Sequence, residues 1–444
     1  MDRPMQLTIE KLIYGGDGLA RLPADADPGQ ERGKAVFVPF VLEGESVEAT
    51  ITEEKPGFAR ARLSRDRVLT PSPHRTEPPC PYYGQCGGCH YQHTTYEHQL
   101  RIKQDIAREN FRRLARLDWR GPISVLTSPP WNYRNRTRLR VRATPEFALC
   151  YARHRARELL PVESCPISSP LINRAISVVT ELGRGGKFPA GIAEVEFFAR
   201  AAGERLLVEL HAARHLHARA GEKLCSAFLE QLTPALPEAV GVALLSAVNE
   251  RHQAEPRLLA SAGARELEYK VDQRTYRVSA GSFFQANRHL LPNLPALVTG
   301  AAAGDLAWDL YAGVGLFSLP LAEKFARVVA VEAGDASFQD LRRNAPANVK
   351  AVRSSTDAFL ERSPKRPQPQ LIVVDPPRGG LGPRVTRSLA AIVAPRLHYL
   401  SCDPATLSRD LKALLESGYR VERVHLIDLF PQTFHVELLV ELAR

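Results

Sequence analysis

Asp309-Leu310-Tyr311-Ala312-Gly313-Val314-Gly315-Leu316-Phe317-Ser318 decides the fold class of this chain. It follows an apolar run, Ala307–Tyr311, and opens a helical pattern. Gly313 and Gly315 permit a tight turn and close approach of a ligand to the backbone. Ser318 stands where a dinucleotide fingerprint has its third glycine, which disfavours hydride chemistry. Glu332 ends the next apolar run, 19 residues after Gly313. A carboxylate at that point suits both ribose hydroxyls of an adenosine moiety. The competing reading is a bare strand-to-helix turn.

Further apolar runs at Val328–Glu332, Leu371–Asp375, His398–Cys402, Arg420–Leu426 and Val436–Leu442 alternate with helical patterns. This alternation predicts a parallel, doubly wound α/β domain from about residue 283. Ligands of such sheets bind at the carboxyl ends of the strands. Asp375, in Asp375-Pro376-Pro377-Arg378, is expected there, unless it only caps a turn. Cys402 lies just past a strand and near a helix start, where a thiol has a lowered pKa and serves as nucleophile. A buried core cysteine is the alternative. Glu437 enters an apolar strand after Phe430-Pro431-Gln432-Thr433-Phe434-His435-Val436, which predicts a raised pKa and suits a general base. A solvated edge glutamate is the alternative.

Toward the N-terminus, residues 6–63 read as short strands with turns between them, which suggests an OB-like β-barrel over 1–70. Prolines 71, 73, 78, 79 and 81 mark an extended linker. Cys80, Cys86 and Cys89 follow with the spacing Cys-x5-Cys-x2-Cys. Thiolates so spaced select an iron–sulfur cluster or zinc, and Cys165 is the best fourth ligand. Cys150 and Cys225 read as buried structural thiols. Tyr96–Leu117 is predicted as a helix with Leu100, Ala107, Phe111 and Leu114 on its packed stripe. Lys103 falls among the cations expected on its other face. Residues 71–282 form the central unit, mainly β from 132 onward, with one helix around Leu171–Leu182. Arg134, Arg136, Arg138, Arg140 and Arg142 alternate along one strand face, a pattern that suits phosphate contacts unless carboxylates meet it.

The chain has 444 residues, a mass of 49.2 kDa and a net charge of +10. Its length suggests about three domains. Residues 101–160 hold 15 Lys or Arg against 5 Asp or Glu, so this block alone carries a surplus equal to that of the whole chain. That localised excess is a nucleic-acid footprint. Seven cysteines and no apolar leader argue against a disulfide framework. No membrane span or secretory signal is expected.

Together these motifs resemble the RNA 5-methyluridine methyltransferases, in the ribosomal branch with an iron–sulfur cluster. The resemblance rests on Cys-x5-Cys-Gly-Gly-Cys-x2-Gln-His at 80–93, Tyr-Arg-Asn-Arg at 133–136 and Ser-Phe-Phe-Gln-Ala-Asn at 282–287. It continues through the 309–317 loop, Asp375-Pro-Pro-Arg, Ser401-Cys-Asp-Pro and the 430–437 segment. It implies a TRAM-type first domain and S-adenosylmethionine held by Gln285, Tyr311, Gly313, Glu332 and Asp375. It further implies a [4Fe–4S] cluster on Cys80, Cys86, Cys89 and Cys165. Leu316 departs from the polar residue many relatives carry after the second glycine.

The implied chemistry explains the residue types. Carbon 5 of uracil is a weak nucleophile until a thiolate adds to carbon 6. After methyl transfer, the carbon 5 proton must leave, so a base is required. Cys402 and Glu437 are expected in these roles, Arg134, Arg136, Arg138 and Arg140 as RNA contacts, and 23S ribosomal RNA as partner. A transfer RNA substrate, or an inactive iron–sulfur RNA-binding protein, is the alternative. A cytoplasmic monomer is expected.

Overall fold

The computed structural model describes residues 4–22, 33–213, 218–247, 256–362 and 367–444. None of its helices is long and apolar enough to cross a membrane.

One eight-stranded sheet organises the C-terminal half. Its order is Val349–Arg353, Phe325–Glu332, Gly304–Leu310, Leu371–Val374, Arg396–Ser401, Glu437–Ala443, Arg420–Ile427 and Ile123–Leu126. The first five strands pair in parallel. Glu437–Ala443 runs antiparallel to both of its neighbours. The sheet is therefore mixed rather than wholly parallel. Nine residues join Ile427 to Glu437, too few for a parallel crossover, so the chain returns antiparallel. Val349–Arg353, unforeseen in the sequence, is an edge strand in which only Val349 is buried. Alternate residues enter two separate cores. Trp308, Leu310, Ile372 and Val374 face one, while Ala307, Leu371 and Val373 face the other. Burial on both faces produces the continuous apolar runs read in the sequence. Strand order reverses at Gly304–Leu310, which places the loops after Leu310 and Val374 around one crevice.

Two earlier segments belong to these cores. The Tyr96–Asn110 helix packs Ile102, Ile106 and Ala107 on the first. It continues as a π turn, Phe111–Ala115. The extra residue per turn rotates the helix, so Ala115 is buried and Leu114 is 43% exposed, contrary to the predicted stripe. The hairpin Glu266–Val271 and Arg274–Ser279 lays Leu267, Tyr269, Tyr276 and Val278 on the second core, although the expected boundary at 282 divides it from that core.

The central unit is a seven-stranded sheet running from Leu159–Pro161 at one edge to Leu258–Gly263 at the other. Two helices cover it, Pro170–Arg184 and Ala218–Leu232, where the sequence reading gave one. The second carries Gly221, a weak helix residue. A Cβ there would lie 2.9 Å from Ala260 and Leu244, so close packing against the sheet decides the residue. Cys150 and Cys225 are buried as expected. The N-terminal unit is a six-stranded sheet around Leu7, Ile9, Ala20, Val36, Val38, Val47 and Ala59.

Candidate active site

The crevice at the strand-order reversal holds a cavity of about 400 Å³ lined by Tyr311, Glu332, Thr356, Asp357 and Leu381. Glu332 accepts the N–H of Gly313 at 2.8 Å through one carboxylate oxygen and that of Gly334 at 2.6 Å through the other. Its place at the end of the Phe325–Glu332 strand is thus fixed by the glycine loop it faces. Ser318 opens the next short helix and donates to the buried Asp309 carboxylate at 2.5 Å. This bond explains a serine where a dinucleotide site has glycine. Burial raises Asp309 to about 7, and burial with the Asp309 charge raises Asp375 to about 7. Buried carboxylates beside the glycine loop favour a cationic ligand. Thr356 and Asp357 follow the unforeseen edge strand and were missed with it.

The Ser282–Asn287 segment is held from three sides. Ser282 donates to Asp340 at 2.6 Å, Asn135 N–H donates to the Ala286 carbonyl at 2.9 Å, and Asn287 donates to the Leu429 carbonyl at 3.0 Å. Gln285, between these anchors, is buried. Phe283, two residues earlier, is 67% exposed.

Cys402 and Glu437 meet through the strand ladder. Ser401 pairs with Leu438 in the antiparallel register, so the next positions outward are Cys402 and Glu437. Opposed residues of such a pair share one face. Burial pushes the Cys402 thiol up to about 12, and the charges of Glu437 and Asp375 add to that while Arg378 opposes it. Burial and the two carboxylates thus oppose the lowering expected beside a helix start. That helix, Pro404–Glu416, is instead capped by Asp403, whose carboxylate accepts the Ala405 and Thr406 N–H groups at 3.0 and 2.8 Å. Burial, with Asp375 adding to it, raises Glu437 well above the usual carboxylate range. Glu437 is buried at the start of its strand, which excludes the solvated edge alternative.

The loop before Glu437 is anchored by distant segments. The Gln432 carbonyl accepts the N–H groups of His90 and Tyr91 at 2.8 and 3.0 Å. Gln99 donates to the Gln432 side chain at 3.0 Å and accepts its N–H at 2.9 Å. The Tyr133 hydroxyl donates to the Pro431 carbonyl at 3.0 Å, and Lys103 to that of Phe430 at 3.0 Å. Lys103, expected off the packed stripe, is fully buried and paired with Asp428.

Cys80, Cys86, Cys89 and Cys165 line one cavity of about 350 Å³ together with Gln92 and Arg134. All four are free thiols. Burial pushes Cys80, Cys86 and Cys89 above the ordinary thiol value. Four thiols around one cavity are a donor set for an iron–sulfur cluster or for zinc.

The arginine row meets carboxylates of its own sheet, the alternative to an RNA face. On the neighbouring strand Glu194 lies opposite Arg140, and Glu196 opposite Arg138. Arg136 bonds Glu196 at 2.5 Å and Glu209 at 3.0 Å, Arg138 bonds Glu196 at 2.7 Å, and Arg140 lies 3.7 Å from Glu194. The carboxylates recur with the same period of two, so the repulsion is met inside the protein. Arg136 also donates to the Ser282 carbonyl. Glu196, Glu209 and His211 form a ligand-like trio, but Arg136 pairs with both carboxylates and Arg138 with Glu196. Arg134 borders the cysteine cavity, with its Nε buried and unpartnered.

Residues 95–444 match the tRNA (Uracil-5-)-methyltransferase family, and residues 4–64 match the TRAM domain. An uncharacterised RNA methyltransferase of Aquifex aeolicus is 34% identical, with 98% of this chain and 97% of that protein covered. A 23S rRNA (uracil(1939)-C(5))-methyltransferase of Shewanella amazonensis is 30% identical over 98% of this chain and 95% of its own length. The crystal structure of Pyrococcus abyssi tRNA (uracil-54, C5)-methyltransferase in complex with S-adenosyl-L-homocysteine shares the fold. Its TM-score is 0.74 at 22% identity, with 99% of this chain and 100% of that one covered. The chain therefore belongs to the RNA uracil-5-methyltransferase family and carries an N-terminal TRAM domain.

Proposed function

We propose that this enzyme methylates carbon 5 of a uridine in 23S ribosomal RNA, with Cys402 as nucleophile and Glu437 as general base. The observation that carries the reading is the register that sets Cys402 opposite Glu437 at the rim of the sheet. S-adenosylmethionine, bound in the Tyr311–Glu332–Asp357 cavity, supplies the methyl group on a cationic sulfonium. Glu332 suits the ribose hydroxyls, and the Asp357 carboxylate suits the adenine amino group. Asp309 and Asp375 favour the positive charge.

The Cys402 thiol releases its proton to solvent, and the thiolate adds to carbon 6 of the uracil, which makes carbon 5 nucleophilic. Once carbon 5 has its methyl group, Glu437 takes the carbon 5 proton and the bond from Cys402 to carbon 6 breaks. Burial gives Glu437 the proton affinity this step needs. Asp403 is a weaker candidate base because its carboxylate is committed to capping a helix. The uridine must leave its stack to reach the rim, and Phe283, two residues before Gln285, is an exposed aromatic face.

The ribosomal substrate follows the Shewanella relative, which resembles this chain over nearly its full length. The four-cysteine cavity is assigned to a [4Fe–4S] cluster with a structural role. Its segment supplies the His90 and Tyr91 N–H groups that seat Gln432, five residues before Glu437. Mass-spectrometric mapping of 5-methyluridine in RNA from a strain lacking the protein tests the reading. Loss from 23S ribosomal RNA supports it, and loss confined to transfer RNA contradicts the substrate.

A further inference from the structure

The first domain does more than lie beside the catalytic domain. The turn between its Lys11–Leu12 and Asp17–Arg21 strands ends on the catalytic rim. The Tyr14 hydroxyl donates to the Cys402 carbonyl at 3.3 Å and lies against the Asp403 carboxylate. Its ring stands edge-on to Phe434, with centroids 5.5 Å apart and planes at 84°. Phe434 is three residues before Glu437. One side chain of the first domain thus touches both the nucleophile loop and the loop that leads to the base.

The approach is built into the turn. Gly16 has a left-handed φ of +91°, and a Cβ there would lie 3.0 Å from the His90 side chain. The His90 ring in turn stands edge-on to Phe434 at 4.6 Å. Lys11 pairs with Glu109 and Asp17 with Arg155, each at 2.5 Å, which clamps the same end of the domain. Leu12 and Leu42 enter the core that covers the C-terminal sheet. Burial and the neighbouring Asp403 and Cys402 keep Tyr14 protonated, hence a donor.

We propose that Tyr14 is a positioning residue for the Cys402 and Glu437 loops, so that the docked first domain is part of the catalytic centre and not only an RNA-holding module. This rests on the assignment of Cys402 as nucleophile and Glu437 as base. Tyr14→Phe in the full chain keeps the ring and its contact with Phe434 and removes the hydroxyl.

The test measures single-turnover methyl transfer from radiolabelled S-adenosylmethionine to a 23S ribosomal RNA transcript, RNA affinity by filter binding, and thermal melting. The rate is expected to fall about tenfold with affinity and melting unchanged, the pattern of a lost transition-state interaction. An unchanged rate overturns the proposal, as does a fall matched by lost affinity or lower melting. A second measurement needs no RNA. Alkylation of Cys402 by iodoacetamide, read by peptide mass spectrometry across pH, should be several-fold faster in the variant, because the freed loop admits water to the thiol. An identical profile overturns the proposal. A wild-type protein that transfers no methyl to the transcript would instead defeat the functional assignment itself, before any variant is compared.

Discussion

Lys103 Nζ lies 2.6 Å from Asp428 Oδ1, and both side chains are fully buried. The same ammonium donates to the Phe430 carbonyl at 3.0 Å. An ion pair from the Tyr96–Asn110 helix therefore sets where the loop carrying Phe430, Gln432 and Phe434 begins. Removing one partner leaves a buried charge uncompensated, which costs about 3–5 kcal/mol. Lys103→Met should lower stability by that amount in denaturant unfolding. Lys103→Met with Asp428→Leu should recover most of it, yet methylation should stay impaired, because Phe430 still lacks its donor.

The Arg136 network makes a contrasting prediction. With Glu196 and Glu209 buried around it, Arg136→Ala should cost about 3 kcal/mol or more in stability. The salt dependence of RNA binding should not change, since no phosphate contact is lost. A flattened salt slope at unchanged stability would restore the arginine row as an RNA contact.

These two sites mark the limits of the sequence. The strand-end positions of the Gly313 loop, Glu332, Asp375, Cys402 and Glu437 were legible because each strand's apolar run announces itself. The partners of Arg136 were not, because Glu196 and Glu209 lie 60 and 73 residues away and their own strands look like any half-polar strand. Burial of Lys103 was hidden because its partner lies 325 residues distant. Thr356 and Asp357 follow an edge strand with too little apolar burial to be read. Tyr14 carried no signal, since its role depends on how two domains dock.

The pH behaviour of Cys402 tests the electrostatics of the rim. Its thiol is held up to about 12 by burial and by Glu437 and Asp375. Alkylation of the wild-type thiol should therefore be slow near neutrality and still rising with pH above 9. Asp375→Asn removes one opposing charge and lowers the thiol pKa. More thiolate is then present at any given pH below it, and alkylation at pH 8 should accelerate. Equal rates in the two proteins would show that Asp375 does not act on the thiol.

The cysteine cavity is tested by metal analysis. Protein purified without oxygen should contain about four iron and four sulfide per chain, as a [4Fe–4S] centre requires. Cys165→Ala should lose most of that iron and melt at lower temperature, because the segment that seats Gln432 is no longer held. Stoichiometric zinc without iron would refute the assignment.

The central claim is the division of labour between Cys402 and Glu437. In Glu437→Gln the thiol still adds and the methyl group still transfers, but the carbon 5 proton has no acceptor. After incubation with S-adenosylmethionine and a 23S ribosomal RNA transcript, nuclease digestion and peptide mass spectrometry should find the Cys402 peptide joined to a methylated uridine. Cys402→Ala should give neither adduct nor product. Free 5-methyluridine from Glu437→Gln at the wild-type rate, with no adduct on Cys402, would contradict the account.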